Sequence, residues 1–433
     1  MDLKFLKAVV FLLFVSTIEG QSLNEIIANH KTNLRDLYAT RGAPEKWITT
    51  GQVDENSLIK VLKQYEQKVA ILIYSFNQDT LTLSLITTKG VTKTKKSSID
   101  PEKLKQDIED VNTLFSSQFS ANAPMLRGSK VTHHKKNKNK LTAAYKSINQ
   151  LLLPDEFDLK AYNHVIFVPI FNIATLPFAA LKIEDAFLID VMSFSIAPSL
   201  FELMVSKNIN DRQNPYRDTI AYYWENALFV ANPNYPNDAT WSFPNLPGTV
   251  KEVEQITKLL PPDTYKILTG NSATKEAIKQ NICGYDLLYF ATHGISNSEN
   301  PLDHSFLVLA EGTDDSAFFT MKEIMNMRHT CQLKADLVVL SACQTGLGKS
   351  HEGGIIGLSR AFQIAGANHI IMSLWSINDE ETAKLMVLFF NELKLANSLQ
   401  PHESLRKAML KYKKEVNSDP KYWAAFSIFG VPY

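Results

Sequence analysis

Asp286-Leu-Leu-Tyr-Phe-Ala-Thr-His293-Gly294 and Ala335-Asp-Leu-Val-Val-Leu-Ser-Ala-Cys343-Gln-Thr-Gly346 decide the reading of the fold. Each is a run rich in Leu, Val, Tyr and Phe that carries no charge after its Asp, ends in small residues and gives way to Gly. That pattern predicts a strand buried on both faces of a parallel sheet. A His and a Cys then stand at the C-terminal edges of two strands. In open α/β sheets that edge builds ligand crevices, because helices cover both faces and only the loops beyond the strand ends are free.

Cys343 follows His293 by 50 positions, enough for a crossover and the spacing typical of caspases. Further out, Ala291-Thr-His-Gly294, Leu340-Ser-Ala-Cys-Gln-Thr-Gly346, Glu352-Gly-Gly354 with Gly357-Leu-Ser-Arg-Ala-Phe362, Ala365-Gly-Ala367, Ser373-Leu-Trp-Ser-Ile-Asn-Asp379 and Tyr422-Trp-Ala-Ala-Phe426 follow in order. Together they resemble CHAT domains, the caspase- and separase-like cysteine peptidases of clan CD. A weaker resemblance through Leu176-Pro-Phe-Ala-Ala-Leu181, Ala197-Pro-Ser199 and Leu246-Pro-Gly248 extends it from about Val61 to the C-terminus. Tyr289 stands where a His is often found in such chains. The resemblance implies an α/β fold, a caspase-like mostly parallel sheet flanked by helices, with an N-terminal α+β region. It places the N-terminal half of the domain at 61–215 and the catalytic half at 216–433.

The N-terminal 20 residues carry Lys4 and Lys7, the apolar run Ala8 to Val15, then small and polar residues up to Gly20. This is the layout of a secretory signal peptide, which predicts a secreted chain or one of an endomembrane or lysosomal lumen. The apolar run is too short to span a membrane, which takes about 20 residues, and the mature chain is expected to hold no span. Residues 21–60 read as a helical lead-in. With 433 residues, 45% of them apolar, and 45 acidic against 45 basic side chains, the chain has the composition of an ordinary globular protein and no general basic footprint for nucleic acid.

The one basic run, Lys130 to Lys140, lacks interleaved aromatics; it reads as a solvated loop or as a cleavable linker. Cys283, Cys331 and Cys343 are the only cysteines. If the first two pair, Cys343 is the free thiol; two unpaired buried cysteines are the alternative.

The periodicities predict a helix over Glu55–Lys68, a hairpin of Val69–Phe76 with Leu81–Thr87, a helix from Pro101, and strands at Val165–Pro169 and Phe187–Asp190. Beyond them come a strand at Leu228–Ala231, helices at Thr249–Leu260 and Ala273–Gln280, and, after the two key strands, helix Gly354–Ala365, strand His369–Trp375 and helix Asp379–Leu395. Phe306–Leu309 and Ala317–Phe319 suit a small hairpin. Such alternation predicts a parallel sheet. No period of 20 to 50 residues recurs, so the chain is read as lacking the helical-repeat arrays that often accompany CHAT domains.

The chemistry this implies is amide hydrolysis by a thiolate, without cofactor or metal and with a protein or peptide substrate. Cys343 is the expected nucleophile and His293 the acid and base. The backbone N–H groups of Gly294 and Cys343 are the oxyanion donors that the resemblance implies. It also implies that Asp379 faces an Arg or Lys side chain before the cut bond, while the residues themselves equally suit a helix start capped by Asn378 with Glu381. His329, Cys331, His351 and Cys343 show no paired ligand spacing for a metal. Gly346-Leu-Gly-Lys-Ser350 lacks the first Gly of a phosphate loop. Against the endopeptidase stands a second reading, a caspase-like fold kept as a binding or regulatory module with little turnover.

Overall fold

A computed structural model of the chain describes residues 23–28, 54–116, 125–126, 138–197, 200, 203, 226–237, 241–280, 282–297, 300–313, 316–341, 352–375, 377, 379–395 and 400–432. Its strands, in chain order, are β1 (Val69–Asn77), β2 (Thr80–Thr87), β3 (Gly90–Ser98), β4 (Met125–Leu126), β5 (His164–Val168), β6 (Lys182–Ile183), β7 (Ala186–Phe187), β8 (Ser193–Ile196) and β9 (Ala227–Pro233). There follow β10 (Trp241–Ser242), β11 (Tyr265–Gly270), β12 (Leu287–Ala291), β13 (Gly294–Ile295), β14 (Phe306–Val308), β15 (Phe318–Thr320), β16 (Leu337–Leu340), β17 (His369–Ser373) and β18 (Phe426–Phe429). The helices are α1 (Glu55–Leu62), α2 (Pro101–Ser116), α3 (Lys138–Leu152), α4 (Leu188–Val191), α5 (Pro247–Thr257) and α6 (Lys275–Lys279). After these come α7 (Pro301–His304), α8 (Met321–Thr330), α9 (Glu352–Ala365), α10 (Asp379–Leu395), α11 (Pro401–Glu415) and α12 (Pro420–Trp423).

One sheet of eleven strands runs β11-β9-β12-β16-β17-β18-β8-β5-β1-β2-β3. β12 and β16, the two uncharged runs, are neighbours and fully buried. They pair in parallel, Leu287 opposite Leu337 through Phe290 opposite Leu340. The sheet is mostly parallel, but β18 is antiparallel to β17 while β8, β5 and β1 run parallel to β18 and to one another. The C-terminal ends of β12, β16 and β17 therefore share an edge with the N-terminal ends of β18, β8 and β5.

Side chains alternate between the two faces. On one face Tyr289 meets Phe390 of α10 and Glu252 of α5, and His164 meets His402 of α11. On the other, Phe290 packs on Phe362 of α9, and the Tyr74 hydroxyl donates to the Leu152 carbonyl at the end of α3. A contiguous apolar core spans both halves of the chain.

Helix boundaries follow local chemistry. Thr320 caps α8 in a reciprocal box with Glu323. α9 stops where the Gly366 N–H returns to the Gln363 carbonyl and the Ala367 N–H to the Phe362 carbonyl, a left-turning exit that Gly366 makes at φ +120°. A Cβ there would lie 2.6 Å from the Leu333 carbonyl oxygen.

Several boundaries differ from the periodicity. Of Phe187–Asp190 only Phe187 is in a strand, the last residue of β7; the Asp190 carboxylate accepts the Phe187 N–H at 3.1 Å and the chain turns into α4. The hairpin β1–β2 gains β3, and the small hairpin β14–β15 gains β13 as a third strand. α1 ends at Leu62 rather than Lys68. Of the basic run, Lys138 to Lys140 open α3 rather than a loop, and Lys140 pairs with buried Asp110 at 3.1 Å. The rest of that run, like the segment Met1 to Gly20, lies outside the described residues.

Cys283 and Cys331 are joined by a disulfide with Cα atoms 6.0 Å apart, tying the turn before β12 to the end of α8. The bridge closes a separation of 48 residues, for which chain entropy gives about 4 kcal/mol. Reduction is expected to lower the unfolding free energy by up to that amount, as read from denaturant midpoints with and without dithiothreitol; an unchanged midpoint in a chain shown by mass spectrometry to be reduced would contradict it. Among the described residues no helix is long and apolar enough to cross a membrane.

Candidate active site

His293 follows the last residues of β12, at the edge where the strand's helix-covered faces give way to loops. Its backbone is fixed by the short sheet beside it, since the Val308 N–H donates to the His293 carbonyl at 2.8 Å and Gly294 pairs opposite Leu307. The Thr292 hydroxyl donates to the Val308 carbonyl and lies 3.3 Å from the Tyr235 hydroxyl.

His293 is 2% exposed. The Tyr235 ring lies 4.7 Å and the Phe243 ring 5.6 Å from it, centroid to centroid. Trp241 stacks on Phe243 at 5.4 Å, and Phe306 and Phe318 close the cluster from β14 and β15. Among the described residues the ring's hydrogen-bond partner is the Pro244 carbonyl oxygen, 2.7 Å from His293 Nε2. A carbonyl can only accept, so Nε2 carries the proton and Nδ1 keeps the lone pair. Burial pushes the imidazole pKa down to about 4, against a smaller upward pull from the Pro244 bond. At neutral pH the ring is therefore neutral, oriented and basic at Nδ1.

Pro244 is the site residue that sequence reasoning missed. Its contribution is a backbone oxygen, which carries no side-chain signature; the aromatic series Tyr235, Trp241 and Phe243 just before it was the only trace.

Beneath the edge, Tyr289 on β12 donates its hydroxyl to Glu252 of α5. Burial and then the Glu252 charge raise the Tyr289 pKa well above the ordinary tyrosine range. This bond ties β12 to α5. Cys343 itself lies outside the described residues. Gly294 opens β13. Asp379 is the first residue of α10, with its side chain and all of Asn378 outside what is described. Glu381, the other half of the expected cap, is engaged by the Tyr412 hydroxyl and by Lys384 Nζ. Trp375 of the same motif is buried, donates Nε1–H to the Lys421 carbonyl at 3.0 Å and stacks on Phe115. Among the described residues no cluster of His, Cys, Asp and Glu could hold a metal ion.

Residues 140–431 match the family model described as CHAT domain. Among curated proteins the chain is similar to tetratricopeptide repeat protein 28 of Homo sapiens, 25% identical over 288 residues that make up 59% of this chain and 11% of that protein. It is likewise similar to tetratricopeptide repeat protein 28 of Mus musculus, 24% identical over 59% of this chain and 12% of that protein. The chain thus spans about a tenth of the length of the curated relatives it matches. Among solved structures it is similar in fold to a Saccharomyces cerevisiae separase–securin complex, with a TM-score of 0.51 at 14% identity, over 94% of this chain and 33% of that one.

Proposed function

The chain belongs to the CHAT family, and from that premise we propose that it is a cysteine endopeptidase working through His293 and Cys343. The observation that carries this is the register of β12 on β16. Phe290 stands opposite Leu340 on neighbouring parallel strands, which lie about 4.8 Å apart, and in the sequence His293 and Cys343 each follow three residues later.

In this reading the neutral imidazole takes the Cys343 proton at Nδ1 as sulfur attacks the scissile carbonyl. The proton then passes to the leaving amine, and His293 activates water to release the acyl group. The Pro244 carbonyl holds the ring in the tautomer this needs and stabilises the imidazolium that forms. Backbone N–H groups of Gly294 and Cys343 receive the oxyanion. Asp379 recognises Arg or Lys before the cut bond by a charge-assisted pair. The segment Met1 to Gly20 directs the chain into the secretory route, a placement supported by the Cys283–Cys331 disulfide. The family also suits a binding module, and turnover separates the two.

The test is turnover of a positional peptide library by the purified chain. Cleavage after Arg or Lys is expected, blocked by iodoacetamide in step with alkylation of Cys343. No cleavage of any peptide by a folded, reduced-Cys343 chain would defeat the peptidase reading. Asp379→Ala is expected to lower kcat/KM for Arg peptides by at least about a hundredfold while the fold persists; a loss of about 1 kcal/mol of stability with unchanged preference would make Asp379 a helix-cap residue instead.

A further inference from the structure

β9 and β11 lose step at one residue. Ala231 stands opposite Thr269 and Pro233 opposite Gly270, so Asn232 is an extra residue on β9 between two paired positions. Its φ is +41°, in the left-handed region that an asparagine enters at less cost than most side chains. A bulge of this kind bends a strand and re-aims one side chain. Here the Asn232 amide oxygen accepts the Leu246 N–H at 2.7 Å. Leu246 is the residue before α5, and Pro244, whose carbonyl meets His293 Nε2, lies two positions earlier. On the other side of β9, Ala231 stands opposite Ala291 of β12, two residues before His293. From the same bulge the chain turns through Pro233 and Asn234, whose N–H donates to the Gly270 carbonyl at 3.1 Å, to Tyr235, the ring 4.7 Å from the imidazole.

Burial shows why the Asn232 bond matters. Pro244 and Asn245 are exposed, so packing alone does not set where the Pro244 carbonyl points. The segment is held at its flanks instead. Upstream, Phe243 is buried against Trp241 and the His293 ring. Downstream, the Thr249 hydroxyl and N–H donate to the Leu246 carbonyl at 2.7 and 3.1 Å, which holds Leu246 to its own helix, whereas the Asn232 bond holds it to the sheet that carries His293.

We propose that Asn232 is a positioning residue of the site: through Leu246 it holds the Pro244 carbonyl on Nε2 of His293 and so keeps the ring's lone pair at Nδ1. The consequence for turnover rests on the peptidase reading; the consequence for the tautomer does not. Which ring nitrogen carries the proton is set by the hydrogen bond the other groups offer it. Once the exposed segment is released from the sheet, water competes with the Pro244 carbonyl for the Nε2 proton, and the Nδ1–H form becomes populated. That form has its proton where the base is needed. Loss of tautomer control in a nucleophile–imidazole pair lowers kcat by up to about 10⁴.

The experiment is nitrogen-15 NMR of the full chain labelled at histidine, with the His293 signals assigned by their loss in His293→Gln. The parent is expected to show one neutral tautomer at pH 7, protonated at Nε2. Asn232→Gly keeps the positive φ without strain but removes the acceptor, and is expected to show both tautomers. Asn232→Asp keeps an acceptor oxygen at the same reach and is expected to restore the single one. If circular dichroism shows that Asn232→Gly does not fold, Asn232→Ser takes its place, with a hydroxyl one bond too short for Leu246. In turnover of Arg peptides the acceptor-less variant is expected to lose at least about tenfold in kcat with KM within about twofold, and Asn232→Asp to recover it. A mixed tautomer in the acceptor-less variant when no form of the chain turns over supports the positioning and overturns only the peptidase reading. Equal tautomer populations in the parent and the folded acceptor-less variant overturn the inference, whatever happens to activity, and so does a failure of Asn232→Asp to restore the single tautomer.

Discussion

Cys343→Ala is expected to remove peptide turnover by at least about a thousandfold, and His293→Ala to do the same, with the double variant no worse than either single one because the pair acts as a unit. Additive losses would show that one of them acts elsewhere. His293 is buried and bonded to the Pro244 carbonyl, so its truncation also removes packing and leaves an acceptor unpaired, about 2 kcal/mol. A fall in thermal stability therefore does not discriminate a catalytic from a packed histidine, but the pH profile does. The base must be neutral, and burial holds its pKa down to about 4, so the acid limb of kcat/KM is expected near pH 4 rather than near 6.5. An acid limb at pH 6 to 7 that vanishes in a His293 variant would mean that the working ring is far more solvated than the one described.

Acid should also weaken the fold through a different set of histidines. His164 on β5, His369 on β17 and His402 on α11 are all buried. His164 bonds Ser193 and Ser195 at 2.9 and 3.1 Å, His369 Nε2 bonds the Val431 carbonyl at 2.7 Å, and the His402 ring packs edge-on against His164. Among the described residues neither His402 ring nitrogen has a hydrogen-bond partner. Burial, then the proximity of His369, brings the His164 pKa down from 6.5 to about 3, and burial, His164 and His369 hold His402 well below its ordinary value.

A base whose folded pKa is depressed binds fewer protons folded than unfolded, so stability is full above pH 6.5 and is lost as pH falls from there toward 3. His164 alone contributes a loss of roughly 3 kcal/mol by pH 4. His402→Leu, which removes two unpaired ring nitrogens from an apolar setting, is expected to hold or raise stability at pH 7 and to flatten the decline. Denaturant unfolding from pH 7.5 to 4 checks this; parallel pH profiles for parent and variant would refute a role for His402.

How much of this could be read from the chain depends on where its signals lie. β12 and β16 were legible because burial on both faces leaves an uninterrupted apolar run. β3 was not: its residues, Gly90-Val-Thr-Lys-Thr-Lys-Lys-Ser-Ser98, line a solvated edge where lysines guard against pairing with another chain, so its composition resembles a loop. β8, Ser193-Phe-Ser-Ile196, carries serines because they serve His164, which disguises a buried strand. β18 sits inside a stretch read as a family motif, and its reversed direction is a tertiary choice that no local pattern encodes. The Pro244 carbonyl was beyond reach for the same reason that any backbone ligand is.

The reversal at β18 has a kinetic side. The two halves of the sheet meet where β18 pairs with β8 through a single register position, Phe429 opposite Ile196, reinforced by the Gly430 N–H donating to the Ile196 carbonyl at 3.0 Å. Those partners are more than 200 residues apart in the chain, whereas β1 with β2, or β16 with β17, close over far shorter loops. Loop-closure entropy delays such distant pairing until each half has formed its own contacts. The seam is then the last part of the sheet to zip and the first to open, so native-state hydrogen exchange should resolve two cooperative units that part along it. A cell that must fold this chain has to shelter two exposed strand edges, β18 and β8, for as long as they wait for each other.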